Sequence, residues 1–188
     1  MKRPGIRVRR PCRQAAWVFC AAGALLVGTL LTARAAGLRV NGSASMPEGL
    51  WRLTAAHLPL RRGEIVVVCL PQTAVTREAA SRGYIPAGTC AGGLAPLLKP
   101  VAAVSGDVVM VSAAGLAVNG RLVANGTPLL RDSAGRALRP MPMGPYPVAP
   151  GKIWLLSGHD PRSFDSRYFG PVPTTAVQGV AHPLWVLR

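Results

Sequence analysis

The chain has 188 residues and a formal net charge of +15, with 22 lysines and arginines against 7 acidic residues. Such an excess of positive charge is typical of nucleic-acid-binding proteins, but seven of the basic residues lie before residue 14 or at Arg34, where they bear on membrane topology instead. Residues 37–188 carry 15 basic and 7 acidic side chains, a net charge of +8 without a run of five like charges. This dispersed charge favours a surface suited to anionic lipid headgroups over a DNA-binding surface.

The first predicted element is an uncharged apolar helix. The segment from Gln14 to Ala33 contains no charged residue, and at about 1.5 Å per residue it is long enough to cross a hydrocarbon core of roughly 30 Å. Six lysines and arginines precede it and only Arg34 follows it closely, so the positive-inside rule places the N-terminus in the cytoplasm. The sequence therefore predicts a basic cytoplasmic tail over residues 1–13, a transmembrane anchor over residues 14–36 and one extracytoplasmic domain over residues 37–188.

A cleaved signal peptide is the alternative interpretation of this segment. The triplet Ala33-Arg34-Ala35 fits the pattern of small residues at a cleavage site. The apolar run is long for the core of a signal peptide, which favours a retained anchor.

Two closely spaced serines follow the apolar segment. Ser43 and Ser45 are separated by one residue and are followed by Met46 and Pro47. Serine is a poor nucleophile unless a base takes its proton, so a catalytic role here requires a partner. Serine, proline and glycine are also ordinary turn residues, and a polar turn leading into a strand is the alternative interpretation.

The remainder of the chain is predicted to be mainly β. An Asn-Gly pair between two apolar flanks, Asn119-Gly120, predicts a hairpin. The other predicted elements are strands over Val66–Leu70, Val101–Val111 (interrupted at Ser105–Asp107), Ile153–Leu156 and Val177–Leu187, a short helix over Ala74–Arg82, and an exposed loop or flap over Gly126–Pro150. The predicted fold class is an antiparallel β-sandwich or barrel-like sheet on a single N-terminal membrane helix.

The cysteines agree with this organisation. Cys12 and Cys20 lie in the tail and the span, whereas Cys69 and Cys90 lie in the outer domain. An oxidising compartment outside the cytoplasm permits a disulfide between the second pair.

A base for the serines is sought among the histidines and lysines. The histidines are scattered in settings that favour structural or exposed roles, which also argues against a metal site: His57, His159 and His182. Lys99 is the only charged residue between Arg82 and Asp107. Partial burial would disfavour its ammonium form, and a neutral lysine can take a serine proton whereas arginine cannot. A surface lysine with a packed stem is equally compatible with the local sequence, so both interpretations stay open at this point.

Four segments resemble the blocks of bacterial type I signal peptidases, the serine/lysine membrane proteases that cut exported proteins. Ser43–Pro47 resembles their S-x-S-M-x-P block, and Arg62–Val67 resembles the following G-D-x-V strand block. Lys99–Asp107 is similar to the K-R-x-x-x-x-x-G-D block, with Pro100 in place of the usual arginine, and Gly158–Val172 is similar to the G-D-N-x-x-x-S-x-D-S-R-Y-x-G block. The blocks stand in the family's order behind a basic tail and one span.

The resemblance implies a signal-peptidase catalytic domain with a defined chemistry. It assigns Ser45 as the nucleophile and Lys99 as the general base. It also implies that Ser43 helps to hold the oxyanion together with the backbone N–H of Ser45. Met46 and Pro47, which complete the block, are expected to contact the substrate.

The resemblance assigns supporting roles to residues of the last block, Gly158–Val172. Ser163 aligns with the serine that hydrogen-bonds the lysine, and Asp165 and Arg167 align with a supporting ion pair. The block is one residue short between its glycine and Asp165, so either His159 or Asp160 fills the family's first acidic position.

The chain also resembles the TraF-type branch of the family, the conjugative-transfer signal peptidases that mature a pilin precursor. The similarity lies in the chain length, in the single span and in the Ser-Met-Pro and Ser-Phe-Asp-Ser-Arg-Tyr sequences. The segment from Cys69 to Cys90 ahead of Lys99 also resembles that branch. The resemblance implies a pilin or other exported precursor as the peptide substrate, with the acyl-enzyme resolved by water or by a peptide amine that joins the ends of the pilin. It implies no cofactor.

The location and partners follow from the same resemblance. The protein is expected in the bacterial inner membrane with one span, its N-terminus inside and its catalytic domain in the periplasm. Membrane lipid and other proteins of the transfer apparatus are the expected partners, and nucleic acid is not expected.

Alternative functions differ in the features that they require. A housekeeping signal peptidase for many exported proteins would be expected to have a large inserted second domain, which this short chain lacks. A non-catalytic assembly factor of a transfer apparatus would not need intact Ser45 and Lys99. A LexA-like self-cleaving repressor also uses a serine/lysine pair, but here an anchor stands where a DNA-binding domain should be.

Overall fold

A computed structural model describes residues 13–187. Residues 1–12, which hold most of the predicted cytoplasmic tail together with Cys12, lie outside the described residues, as does Arg188. The chain divides into two compact units, Met1–Leu38 and Arg39–Arg188. The boundaries predicted from the sequence for the tail, the anchor and the outer domain stay predictions.

The first unit contains the helix α1, Arg13–Ala35. Its segment Ala16–Ala35 is long and apolar enough to cross a membrane, although a signal sequence near the N-terminus has the same properties. The hydroxyls of Thr29 and Thr32 donate to backbone carbonyls one turn earlier, at 2.8 and 3.0 Å. Their polar groups are therefore satisfied within the helix, as a hydrocarbon environment requires.

The second unit is mainly β, which confirms the predicted fold class. Its strands, numbered in chain order, are β1 Leu38–Asn41, β2 Gly49–Thr54, β3 Ile65–Val68, β4 Ala87–Cys90, β5 Leu97–Ala103, β6 Val108–Ser112, β7 Gly115–Val118, β8 Arg121–Leu122, β9 Gly144–Pro147, β10 Lys152–Leu155, β11 Val172–Pro173 and β12 Val177–Val186. Its α-helices are α2 Ala74–Ser81 and α3 Ser166–Phe169.

Two sheets form the unit. The larger has the strand order β1-β2-β12-β3-β5-β10-β11, and the smaller has the order β8-β7-β6-β9. Neighbouring strands pair antiparallel throughout the smaller sheet and from β2 to β11 in the larger one. The turn between β5 and β6 carries the chain from one sheet to the other.

Strand β10 separates two apolar cores. Ile153 and Leu155 pack into a core under the larger sheet, together with residues of β3 and α2. Trp154 and Leu156 pack into a second core against the smaller sheet. Because successive side chains of a strand point to opposite faces, the uninterrupted apolar run 153–156 is buried on both sides.

The hairpin predicted at Asn119-Gly120 is present between β7 and β8. Both residues have positive φ, 50° at Asn119 and 80° at Gly120, the conformation that favours Asn-Gly in two-residue hairpin turns. The Asn119 side chain also accepts a hydrogen bond from the Val108 N–H at 2.9 Å and donates to Asp107 at 2.8 Å. These bonds tie the hairpin to the start of β6.

Cys69 and Cys90 form a disulfide between the segments that follow β3 and end β4. A cross-link that closes a loop of this length restricts the unfolded chain and is worth about 3 kcal/mol. Reduction of the full chain in detergent should therefore lower its thermal unfolding midpoint, and the Cys69→Ser/Cys90→Ser variant should match the reduced protein. The Cys20→Ser variant should keep the wild-type response. An unfolding midpoint that does not change on reduction would contradict a stabilising role for the bridge.

Candidate active site

A cleft of about 670 Å³ lies in the second unit, and Ser45 and Lys99 both line it. Its volume is within the range of roughly 300–1,000 Å³ that is usual for ligand sites. Ser43 and Ser163 also line the cleft. Apolar residues from several strands form much of its wall, among them Trp51, Leu53, Val67, Leu97, Leu98 and Ala181. The cleft thus brings together the two serines and the lysine, which are distant in sequence, in a mostly apolar surrounding.

The serine loop, residues 42–48, packs against residues of β2 and β12. Met46 is only 5% exposed and packs with Trp51, whose indole N–H donates to the Pro47 carbonyl at 3.2 Å. Gly49, which begins β2, has φ of 143°, and a Cβ there would lie 2.2 Å from the Trp185 carbonyl oxygen. Only glycine permits this approach of β2 to β12, which fixes the end of the loop.

The sequence block at Met46 and Pro47 therefore has a visible packing role. Within the described residues, neither of the two lines the cleft. Their contact with the substrate stays a prediction.

Strand β5 places Lys99 on a buried face. Lys99, Val101 and Ala103 alternate with less buried residues along the strand, and Lys99 lies in register with the fully buried Val66 of β3. Lys99 is 3% exposed, and its Nζ donates to the Ser163 hydroxyl at 2.6 Å. The sequence leaves open whether Lys99 is buried or lies at the surface with a packed stem, and in the structure it is buried.

Burial lowers the pKa of Lys99 from 10.5 to about 8. Removal of water disfavours the ammonium form and is the largest cause, and the Arg167 guanidinium acts in the same direction. The carboxylates of Asp165 and Asp160 oppose the shift. A sizeable fraction of Lys99 is therefore neutral near pH 8, so the amine can accept a proton.

A buried ion pair between Asp165 and Arg167 supports the lysine's partner. Both residues are 0% exposed, and the guanidinium binds the carboxylate in a fork, with two N···O distances of 2.8 Å. The remaining guanidinium N–H groups donate to backbone carbonyls of Ser163, Asn125 and Pro161 at 2.9, 2.7 and 3.1 Å. Because every donor of the arginine has an acceptor, the charge is compensated in the interior, and the backbone of Ser163 is fixed.

The same ion pair is connected to the serine loop through Ser157. The N–H of this buried serine donates to Asp165 at 3.1 Å, and its hydroxyl donates to the backbone carbonyl of Ser45. Asp165 is thus connected to the Ser45 backbone through hydrogen bonds of Ser157. Its partner Arg167 is connected to Lys99 through hydrogen bonds of Ser163.

The histidines lie elsewhere. His57 faces Glu64 at 3.3 Å, His182 lies 3.4 Å from the Thr54 hydroxyl, and His159 is exposed. None of the three is among the described residues that line the cleft, whereas Asp160 is. Of the two candidates for the acidic position of the last block, Asp160 is therefore the one that lines the cleft with Lys99, and its carboxylate raises the pKa of Lys99.

The predicted flap, Gly126–Pro150, contains the strand β9 and a segment that forms part of the cleft wall through Asp132 and Leu138. The Tyr84 hydroxyl donates to Asp132, and Arg136 donates to the same carboxylate at 2.6 Å. The segment is therefore tied to the stretch between Cys69 and Cys90.

Two polar residues of the site are missing from the sequence-based prediction. Asn41, at the end of β1, makes side-chain hydrogen bonds throughout the serine loop. The Asn-Gly-Ser sequence signals this role, because asparagine often binds the backbone two residues later. Ser157 follows the apolar run of β10, and nothing in its local sequence indicates that it contacts Ser45.

The chain matches the family of signal peptidases, peptidase S26, over residues 12–186. It therefore belongs to that family, and a serine peptidase activity is what the family suggests. A solved signal peptidase I from Enterococcus faecalis is 22% identical and covers 68% of this chain and 98% of its own, with a TM-score of 0.37.

Relatives of higher identity are conjugal and plasmid transfer proteins. A probable conjugal transfer protein TraF of Sinorhizobium fredii is 41% identical over 155 residues, which are 82% of this chain and 80% of that protein. The conjugal transfer protein TraF of Agrobacterium fabrum is 40% identical over 164 residues, 87% and 91% of the two chains. A plasmid transfer protein TraF of Escherichia coli is 38% identical over 169 residues, 87% and 94%.

Proposed function

We propose that this protein is a membrane-anchored serine endopeptidase of the signal peptidase type, which matures an exported precursor through an acyl-enzyme on Ser45 with Lys99 as general base. The observation that carries the proposal is the buried Lys99, which is held by Ser163 and lines the same cleft as Ser45. A lysine kept partly neutral beside a serine is one of the recognised ways to activate that nucleophile.

The proposed reaction begins when the neutral amine of Lys99 takes the proton of the Ser45 hydroxyl. The Ser45 oxygen then bonds to the scissile carbonyl carbon, and the resulting oxyanion accepts hydrogen bonds from the Ser43 hydroxyl and the Ser45 N–H. When the peptide bond breaks, the leaving amine receives the proton from the Lys99 ammonium. Lys99 next takes a proton from water as the water oxygen bonds to the ester carbonyl carbon. When the ester C–O bond breaks, the Lys99 ammonium returns that proton to the Ser45 oxygen, which frees the serine hydroxyl and the carboxyl product.

The proposed substrate is a conjugative pilin precursor. Its support is the conjugal transfer function in the names of relatives near 40% identity over most of the chain. An extended peptide would pair with an exposed strand edge beside the cleft, and the apolar walls would take small side chains. In the proposed topology α1 anchors the protein in the inner membrane, the N-terminus lies in the cytoplasm and the second unit lies in the periplasm.

Mass spectrometry of the mature pilin tests this function. Donor cells with the wild-type chain should contain processed pilin, whereas cells that lack the chain or carry Ser45→Ala should accumulate the precursor. A mature product one water lighter than the linear peptide would mean that a peptide amine resolves the acyl-enzyme, and a linear product would mean that water does. Identical mature pilin in the deletion strain would contradict the proposal, and precursors of many exported proteins in that strain would indicate a housekeeping peptidase.

A further inference from the structure

The side chain of Asn41 lies at the centre of the serine loop. Its Nδ2 is 3.1 Å from each of three backbone carbonyl oxygens, those of Ser43, Met46 and Pro47. Its Oδ1 accepts the Ser43 N–H at 3.2 Å and the Ser43 hydroxyl at 2.8 Å. An asparagine amide has two N–H donors and one oxygen with two lone pairs, so these contacts use its whole capacity within a single loop.

This arrangement sets the direction of the hydrogen bond between the two serines. The Ser43 hydroxyl has one proton, and it is donated to the Asn41 Oδ1. In the contact of 3.3 Å between the Ser43 and Ser45 hydroxyls, Ser45 must then be the donor. Asn41 therefore orders both hydroxyls of the resting site, although it contacts only one of them, and the Ser45 hydroxyl must turn from Ser43 to Lys99 when the proposed reaction begins.

Ser157 also stabilises the serine loop, through a hydrogen bond to its backbone. The Ser157 hydroxyl donates to the Ser45 carbonyl, and Ser157 is itself fixed by Asp165. Ser157 thus holds the backbone of the proposed nucleophile, whereas Asn41 holds the neighbouring hydroxyl and the loop's carbonyls.

We propose that Asn41 is a positioning residue that fixes the serine loop and keeps the Ser43 hydroxyl on its own Oδ1 until a substrate oxyanion takes that hydrogen bond. This inference rests on the proposed function. The Ser43 hydroxyl would rotate from Asn41 to the oxyanion when the substrate is attacked. The Asn41 Oδ1 would still accept the Ser43 N–H, so the rotation leaves this oxygen with a hydrogen-bond partner.

Asn41→Ala in the full chain tests the proposal with a peptide that spans the cleavage site. We expect kcat to fall about 10- to 100-fold, because small displacements of reacting groups have effects of this size. KM should change little, and the pH midpoint of kcat/KM should stay at the wild-type value, because Lys99 and its surroundings are untouched. Asn41→Asp keeps the size of the side chain but loses the Nδ2 donors, and it should also lose kcat; it replaces the alanine variant if that variant does not fold.

A double-mutant cycle separates positioning from general stability. If Asn41 acts through the Ser43 hydroxyl, then Asn41→Ala/Ser43→Ala should be no slower than the slower single variant, within a few-fold. Asn119→Ala is the matched control, since Asn119 also has a side chain that both accepts and donates hydrogen bonds, at 2.9 and 2.8 Å, but outside the cleft. It should lower the unfolding midpoint and leave kcat at the wild-type value.

Several outcomes would overturn the inference: wild-type kcat in both Asn41→Ala and Asn41→Asp, an effect on KM alone, or losses that multiply in the double variant. Ser45→Ala and Lys99→Arg are measured in the same series. Cleavage at the wild-type rate in either would refute the pair of Ser45 and Lys99 on which the proposed function depends. Inactivity of both, together with wild-type kcat in the Asn41 variants, would refute the role of Asn41 and leave the proposed function standing.

Discussion

Ser45→Ala and Lys99→Arg are each expected to lower kcat for precursor cleavage by about 10⁴- to 10⁶-fold, the range seen when a member of a catalytic serine unit is removed. The alanine variant has no hydroxyl to form the acyl-enzyme. The arginine variant keeps a positive charge but cannot become neutral and take a proton. Because the two residues act as a unit, the double variant should be no slower than either single one.

Matched controls come from elsewhere in the chain. Lys152→Arg makes the same substitution at a lysine that does not line the cleft, and it should keep full activity. Ser133→Ala removes an exposed hydroxyl and should also be neutral. Rates are measured with the full chain in detergent, and each variant is checked for membrane insertion and for a cooperative unfolding transition. Cleavage at the wild-type rate by Ser45→Ala or by Lys99→Arg would refute the proposed pair.

The rate is also expected to depend on pH with a midpoint near 8. Burial lowers the pKa of Lys99 from 10.5 to about 8, and only the neutral amine can take the Ser45 proton. Below pH 8 the neutral fraction falls about tenfold for each pH unit, so kcat/KM should fall in the same proportion. Above pH 8 the amine is mostly neutral, and kcat/KM should reach a plateau.

Asp160→Asn provides an internal test of the origin of that midpoint. The Asp160 carboxylate raises the pKa of Lys99, so its loss should move the midpoint to lower pH. Lys152→Arg should leave the midpoint in place. A wild-type midpoint near 10.5, or a rate that does not depend on pH between 6 and 9, would contradict Lys99 as the base.

Much of the fold could be predicted from local sequence signals. The Asn119-Gly120 turn, the apolar runs at β3 and β10 and the helix α2 each depend on residues close together in the chain, and they lie where the sequence predicts them. The flap is different, because it is fixed by the contact of Asp132 with Tyr84, 48 residues away. No local pattern predicts a contact over such a separation.

In the candidate site, too, local sequence indicates some features, whereas others depend on residues that are distant in the chain. The apolar neighbours of Lys99 indicate burial, but its depth depends on Val66 of the adjacent strand and on Ser163, 64 residues away. Nothing in the sequence around Arg167 distinguishes it from a surface arginine, yet its guanidinium donates hydrogen bonds to backbone carbonyls up to 42 residues away in the chain. Only the family resemblance indicates that Arg167 and Asp165 form a supporting ion pair, and it gives no indication of Ser157.

The most direct measurement is the site of covalent labelling by a serine-directed phosphonylating reagent. The full chain is treated in detergent at pH 8, digested and mapped by mass spectrometry, together with the Lys99→Arg and Lys152→Arg variants. A nucleophilic Ser45 activated by Lys99 predicts one label on Ser45 in the wild type and in Lys152→Arg, and almost none in Lys99→Arg. Labelling of another serine, or of Ser45 at an unchanged rate in Lys99→Arg, would contradict the proposed pair.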